Sequence, residues 1–288
     1  MNDLFDKFIA YKIHGEGKNE KSINQYIRHI TEFCNLFGIN DIKMFTNDKV
    51  KEWLIHLGKN DNSPASRNVK LSAIKEFIRF LEDNRIAVDI DILKIKGAKQ
   101  PHRESKFLRE ERAIEFIYNI GNERTRACAI LTFRTGMRYC ELIKLTVRDI
   151  ERGYAVIIGK GNKERKVNFS VDCLTIVKKY IKNKRQDIIN RTGKKTDLLI
   201  LSDQGGVMSD RNYNESLKRW AKRCGIEWWQ DMSSHKLRHS YATDKLSKGF
   251  DAKTVGYSMG HTNIATTSLY AHTDDDRVRD MQLGGTLW

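Results

Sequence analysis

SHKLRHSYAT (residues 234–243) and MGHTNIATTSLYAH (residues 259–272) stand close together near the end of this 288-residue chain. In the first stretch, His235 and Arg238 are three residues apart, so on a helix both side chains project from one face. A titratable imidazole and a planar guanidinium on one face can handle a phosphate group together. The two stretches are therefore the first candidates for a site.

The second stretch adds another histidine and a tyrosine. His261 and Tyr270 are separated by residues rich in Thr and Asn and preceded by Gly260, which predicts a turn followed by a short helix. Of the ten tyrosines, Tyr270 is singled out because it follows the polar run Thr-Thr-Ser, a placement suited to in-line attack. Tyr241 and Tyr257 lie in apolar helical patterns and are interpreted as packing groups.

Two further motifs lie upstream. TGMRYCEL (residues 135–142) supplies Arg138 just after a glycine, where one helix is expected to end and the next to begin. GKGNKERKV (residues 159–167) places Lys160 between two glycines at a predicted hairpin tip. The four motifs thus bring together the residue types needed to handle a phosphodiester: Arg138, Lys160, His235, Arg238, His261 and Tyr270.

Strand transfer at a phosphodiester explains why these types occur together. Its transition state carries extra negative charge on the non-bridging oxygens, which guanidinium forks can meet, so Arg138 and Arg238 form the expected clamp. Glu141 lies three residues after Arg138, either as a group that orients this arginine or as its partner in a surface ion pair. A tyrosyl phosphodiester conserves the energy of the bond that it replaces, so the reaction needs no ATP.

The nucleophile must lose a proton and the leaving sugar hydroxyl must gain one. His235 is the expected base or proton shuttle and His261 the expected donor to the phosphate, although a lone histidine is often structural. Lys160 can protonate the leaving oxygen or anchor a phosphate. The remaining expected DNA contacts are Lys163, Arg165 and Lys166 after the hairpin tip, and Lys96, Lys99 and Arg103 in a basic segment.

Composition points to a polyanionic partner. The formal net charge is +15, and residues 178–195 hold eight Lys or Arg against one acid. Such a field favours association with a phosphate backbone. Nucleic acid is the leading partner, and a lysine-rich proteome is the alternative explanation of the charge.

The five cysteines are scattered without a CxxC pair or a His/Cys cluster at metal-ligand spacing, so we expect reduced, mostly buried thiols and no metal or other cofactor. The sequence shows neither a leader-like N-terminus nor an apolar run of 18 residues. These features predict a cytoplasmic, nucleoid-associated protein that does not enter membranes.

Apolar periodicity predicts a mainly α protein. Residues 1–92 read as a bundle of four helices, and residues 93–106, with Gly97 and Pro101 among many cations, as a basic linker. Residues 107–273 read as a mixed α/β domain, mostly helical, with a small three-stranded antiparallel sheet from the runs 147–150, 154–158 and 165–169. Residues 274–288 form a tail.

In order and spacing, the four motifs resemble the catalytic boxes of the tyrosine recombinase (phage integrase) family, most closely its compact Xer-like members. The resemblance implies a SAM-like core-binding domain in residues 1–92 and assigns the catalytic set to Arg138, Lys160, His235, Arg238, His261 and Tyr270. Two departures are minor. Met259 precedes Gly260 where leucine is common, and Asn168 takes the place of a usual proline.

The resemblance further implies site-specific recombination of double-stranded DNA by a homotetramer on core sites with inverted repeats. Two alternatives stay open: a DNA-binding architectural or regulatory relative, and a monomeric type IB-like nicking topoisomerase. The tail bears on assembly, because it carries apolar side chains that a neighbouring subunit, or its own domain, could bury: Val278, Met281, Leu283, Leu287 and Trp288.

Overall fold

The computed structural model describes residues 1–100, 106–159, 164–260 and Gln282. The chain divides into two units, Met1–Glu104 and Ser105–Trp288. Both are built mainly of helices, as the sequence predicts. No helix in the described ranges combines the length and apolar character needed to cross a bilayer.

Four α-helices form the N-terminal unit: α1 Asn2–Ala10, which continues into a π-type turn, α2 Glu20–Phe37, α3 Asn47–Lys59 and α4 Pro64–Asp83. Their ends follow local signals. Gly38 ends α2 at φ +59°, and Ser63 caps α4 immediately before its first-turn proline. Thr46 caps α3, because its hydroxyl accepts from the Lys49 N–H.

An aromatic cluster fills the core of this unit. Phe33 meets both Phe45 and Trp53 with ring centroids 5.2 Å apart, and Phe77 meets Phe8 edge-on at 5.4 Å. All five side chains are fully buried. Such pairs add specific geometry to apolar burial, so the amphipathic stripes in the sequence correspond to one packed core.

The first part of the expected linker lies on α4. The Asn68 side chain pairs with the backbone of Ala98, accepting from its N–H at 2.7 Å and donating to its carbonyl at 2.9 Å. Ile95 is buried, and its carbonyl accepts from Lys75 Nζ at 2.9 Å. Residues as far as Ala98 therefore belong to the N-terminal unit and are not a free tether.

The second unit contains nine described α-helices and a hairpin. The helices are α5 Glu110–Asn119, α6 Glu123–Thr135, α7 Tyr139–Leu142, α8 Val147–Arg152, α9 Val171–Tyr180, α10 Gln186–Thr192, α11 Asp210–Arg223, α12 Ser234–Ser247 and α13 Ala252–Met259. Helix α6 is buried along most of its length and packs against α9 and α12. It is the central element that holds α12 in place.

The described part of the sheet has two strands where we expected three. β1 (Tyr154–Ile158) pairs antiparallel with β2 (Glu164–Asn168). The expected strand at residues 147–150 is helical and begins α8. The reason is a reciprocal cap that favours a helix start: the Thr146 hydroxyl accepts from the Asp149 N–H, and the Asp149 carboxylate accepts from the Thr146 N–H at 2.8 Å.

Candidate active site

Arg138 stands where two helices meet. Gly136 ends α6 in a left-handed conformation, and Arg138 precedes the first residue of α7. The Glu141 carboxylate accepts from the Arg138 backbone N–H at 2.9 Å and from its Nη1 at 3.2 Å. With 37% of its side chain exposed, Arg138 can still reach a ligand. A cavity of about 470 Å³ lies beside it, between α7 and β1, and also touches Gly260.

Arg238 and His235 share α12, which begins with Ser233 as its cap. His235 is exposed, whereas Arg238 is 7% exposed. Arg238 donates to the carbonyl of Gly136 and, at 2.8 Å, to that of Met259. The helix thus carries one buried guanidinium fixed toward the end of α6 and one solvent-facing imidazole.

The carboxyl end of α13 gathers three arginines. Arg138 Nη2 donates to Gly260 O at 2.9 Å, Arg238 Nη2 to Met259 O at 2.8 Å, and Arg165 Nε to Ser258 O at 3.0 Å. The last carbonyls of a helix lack partners within it and carry partial negative charge, so cations are favourable there. These bonds hold three arginines from distant parts of the sequence at the point where the chain enters the His261 motif.

Gly260 makes this convergence possible. Its φ of +67° belongs to the left-handed region, and a Cβ at this position would stand 2.6 Å from Arg165 Nη1 and 3.1 Å from Arg165 Cζ. Only glycine combines that backbone with such a close approach.

Arg165 does not occupy the expected surface position. Its guanidinium is 5% exposed and forms a paired contact with Glu141, at 2.7 Å to Oε2 and 3.2 Å to Oε1. Because Glu141 and Ser258 occupy all three nitrogens of this buried guanidinium, a role as an exposed phosphate anchor does not agree with the structure. One feature of the sequence indicated this burial. Side chains alternate between the two faces of a strand, so Arg165 lies on the same face of β2 as the buried Val167, whereas Glu164 and Lys166 are exposed on the other.

The electrostatics of the cluster favour an anion. Burial and the neighbouring Arg138 lower the pKa of Arg238 to about 10, with Glu141 acting in the opposite sense. Burial would raise the pKa of Glu141, but the hydrogen bonds from Arg165 and the Arg138 N–H outweigh it and lower this pKa. Three guanidiniums facing one carboxylate leave an excess of positive charge, which a phosphate can neutralise.

The other expected DNA contacts are placed as follows. Lys96, Lys99 and Lys166 are exposed, and Lys166 Nζ lies 4.2 Å from the centroid of the Tyr154 ring. Five expected site residues lie outside the described residues: Lys160, Lys163, His261, Tyr270 and Arg103.

Of the tail, only Gln282 is described. Its side-chain oxygen accepts from the Asn168 backbone N–H at 2.9 Å and from Asn168 Nδ2 at 3.2 Å. The residue is 1% exposed. This one position packs on the chain's own second unit, at the end of β2.

The two rejected tyrosines differ in environment. Tyr241 is buried and its hydroxyl bonds Ser258 Oγ at 3.1 Å, while burial raises its pKa to about 12. It is a packing group, as expected. Tyr257 is 37% exposed, so the expectation of a packing role for it was only partly right.

Comparison with known proteins matches residues 106–277 to the phage integrase family and residues 5–85 to the phage integrase N-terminal SAM-like domain. Similar proteins include the tyrosine recombinase XerD of Listeria innocua, 27% identical over 98% of this chain and 97% of that protein. XerD of Halalkalibacterium halodurans is 29% identical over 98% and 96% of the two chains.

Solved structures share the fold at lower identity. The Tn1549 transposon integrase in complex with circular intermediate DNA is 19% identical, with a TM-score of 0.69 over 96% of this chain and 97% of that one. The XerH site-specific recombinase bound to difH substrate is 21% identical, with a TM-score of 0.66 over 89% and 78%. Because the family model covers more than half of its length, this chain belongs to the phage integrase family.

Proposed function

We propose that this protein is a site-specific tyrosine recombinase, which cleaves and rejoins DNA strands through a 3′-phosphotyrosyl intermediate on Tyr270. The observation that carries the proposal is the convergence of Arg138 and Arg238 on the carboxyl end of α13. The recombinases among its relatives and the four motifs in order support the same reaction.

The two arginines bind the scissile phosphate. In the transition state negative charge grows on the non-bridging oxygens, and guanidinium donors held in place beforehand stabilise it without reorganisation. Arg238 is held rigidly by burial, and the half-exposed Arg138 completes the clamp from the start of α7. Glu141 orients Arg138 through two hydrogen bonds.

Cleavage transfers the phosphoryl group and two protons. The Tyr270 oxygen attacks phosphorus as its proton passes to His235, and the bond from phosphorus to the 5′ oxygen breaks. Lys160 protonates that oxygen, and His261 donates a hydrogen bond to a non-bridging oxygen. The free 5′ hydroxyl of another strand then reverses these steps, so joining needs neither ATP nor metal.

Double-stranded DNA is the substrate. The net charge of +15 and the exposed Lys96, Lys99 and Lys166 support contacts with the DNA phosphate backbone. We assign Arg103 and Lys163 to the same contacts. We further propose four segments: a DNA-binding bundle (1–92), a basic linker (93–106) whose residues as far as Ala98 pack on the bundle, the catalytic domain (107–273) and a tail (274–288). In this proposal the tail connects subunits of a tetramer on sites with inverted repeats. The Tn1549 transposon integrase was solved in complex with DNA, which supports DNA as the partner.

The test is covalent capture. A pool of nicked duplexes is incubated with the protein, and adducts that survive denaturing electrophoresis are collected and sequenced. We expect adducts from the wild type, none from Tyr270→Phe, and nearly unchanged DNA binding by that variant, because only the phenolic oxygen is lost. Tyr257→Phe, which changes an exposed tyrosine on α13, is the matched control and should still form adducts.

Two results would contradict the proposal. An adduct formed by Tyr270→Phe would mean that another tyrosine is the nucleophile. The exposed Tyr257 would then be the first candidate and the buried Tyr241 the second. Relaxation of supercoiled DNA by a monomer, without exchange between two captured sites, would instead indicate a nicking topoisomerase.

A further inference from the structure

One carboxylate serves two arginines. Glu141 Oε2 accepts from Arg165 Nη2 at 2.7 Å and from the Arg138 backbone N–H at 2.9 Å. Its Oε1 accepts from both Nη1 atoms at 3.2 Å. Arg138 and Arg165 therefore compete for the same anionic group.

Arg165 holds the stronger position. It meets the carboxylate with two guanidinium nitrogens, whereas the Arg138 guanidinium uses one. Paired contacts of this kind are stronger and more specific in direction than single ones. Both Arg165 and Glu141 are buried, at 5% and 9% side-chain exposure, so solvent screens their attraction little.

Arg165 is also fixed by a third contact. Its Nε donates to Ser258 O at 3.0 Å, within the last turn of α13. With the three nitrogens of its guanidinium engaged inside the protein, Arg165 has no free face for DNA. Its position instead ties β2 to α7 and to α13, the elements that place Arg138.

We propose that Arg165 is a positioning residue for strand cleavage: by occupying Glu141, it leaves the Arg138 guanidinium only partly engaged and able to bind the scissile phosphate. This role rests on the proposed function. Without Arg165, the Glu141 carboxylate would turn its two oxygens to Arg138, and an internal carboxylate would compete with the phosphate for that guanidinium.

The proposal predicts a specific suppression. Arg165→Met should slow single-turnover cleavage of a captured nicked duplex roughly 10- to 100-fold, the size of effect typical when a group that orients a site residue is lost. Adding Glu141→Gln to Arg165→Met removes the competing charge. The double variant should recover at least about half of the lost cleavage rate, measured as the logarithm of the rate. Rates are measured with saturating protein well below the melting temperature, so that stability does not limit them.

Arg185→Met is the matched control. Arg185 is a buried arginine of the same unit, but its guanidinium donates to two backbone carbonyls, Leu198 O at 3.0 Å and Thr196 O at 2.7 Å. Its loss should lower the melting temperature while leaving the cleavage rate of folded protein within about threefold of wild type, and Glu141→Gln should not improve it.

A second measurement separates charge from structure. In a methylphosphonate duplex, one non-bridging oxygen is replaced by a methyl group, so the phosphorus centre carries no negative charge for Arg138 to neutralise. On this substrate, the cleavage rate of Arg165→Met should come to within about threefold of the wild-type rate. A merely structural defect would be equal on both substrates.

The outcomes distinguish two failures. If wild type cleaves but Arg165→Met is slowed equally on both substrates and is not improved by Glu141→Gln, the positioning role is wrong and the proposed function stands. If wild type forms no adduct with any duplex, the proposed function is wrong and the positioning role falls with it.

Discussion

Arg138 and Gly260, 122 residues apart in the chain, are joined by a hydrogen bond of 2.9 Å from the guanidinium Nη2 to the glycine carbonyl. The carbonyl belongs to the residue directly before His261. The bond therefore attaches the arginine of the motif at residues 135–142 to the start of the motif at residues 259–272. A change at either end of this bond should therefore affect both motifs.

Gly260→Ala tests this attachment. The new Cβ would meet Arg165 at 2.6 Å, and we expect cleavage to fall roughly 10- to 100-fold because the clamp is displaced. Gly225→Ala is the control: it has the same φ of +67° but nothing within 4 Å of its Cβ. Both variants should lose about 1–2 kcal/mol of unfolding free energy from the left-handed backbone. Equal cleavage rates in the two would refute the attachment.

Lys160→Ala should slow cleavage far more than binding, because we assign Lys160 the protonation of the leaving oxygen. A duplex with sulfur at the bridging 5′ position should restore the rate, since a thiolate leaves without a proton. Lys163→Ala serves as the comparison and should mainly weaken binding and make its salt dependence shallower. If the sulfur substrate did not restore the Lys160→Ala rate, Lys160 would not be the general acid, and Lys163 would be the next candidate for that role.

Glu110→Gln tests an ion-pair cluster that does not include the clamp arginines. Burial would raise the pKa of Glu110, but its bonds to Lys248 and Arg134 outweigh this and hold the pKa at about 2. Because the folded pKa lies below the ordinary value of 4.5, the carboxylate stabilises the fold fully above pH 4.5 and loses this effect as pH falls toward 2.

We therefore expect Glu110→Gln to lower the unfolding free energy at pH 7 by roughly 1–3 kcal/mol, between the values for exposed and buried pairs. The difference from wild type should shrink below pH 4.5 in denaturant titrations at several pH values. Glu111→Gln, an exposed change on the same helix, should show no such trend. A difference independent of pH would contradict the assigned pKa.

Deleting residues 277–288 should separate DNA binding from assembly. Full burial of each of the five apolar side chains of the tail would stabilise the subunit contact by about 1.5–3 kcal/mol. The entropy cost of ordering the tail offsets part of this free energy. We expect the truncated protein to bind one half-site, while pairing of two full sites on native gels falls sharply. Gln282→Ala isolates the loss of the contact with Asn168. Normal pairing after the deletion would show that the tail serves its own domain.

Local patterns were sufficient for much of the fold. The helices of the N-terminal unit follow from apolar periodicity and from signals such as Ser63-Pro64 and Gly38, because these act within one or two turns of backbone. The hairpin strands were predicted nearly to the residue, since alternation of burial needs only the neighbouring residues. The types and spacing of the catalytic candidates also belong to this local information.

Tertiary structure decided the rest. The miss at residues 147–150 was local instead: Val147 and Ile150 suggested a strand, but the mutual cap of Thr146 and Asp149, a pattern three residues apart in the sequence, starts a helix there. Alternation with Val167 places the Arg165 side chain on the inward face of β2, but only the packed structure shows that its partners there are Glu141 and Ser258. By itself the sequence determined which chemical groups are present and most local conformations. Which of those groups meet depends on contacts between residues far apart in the chain, because charge pairing and burial are properties of the packed interior.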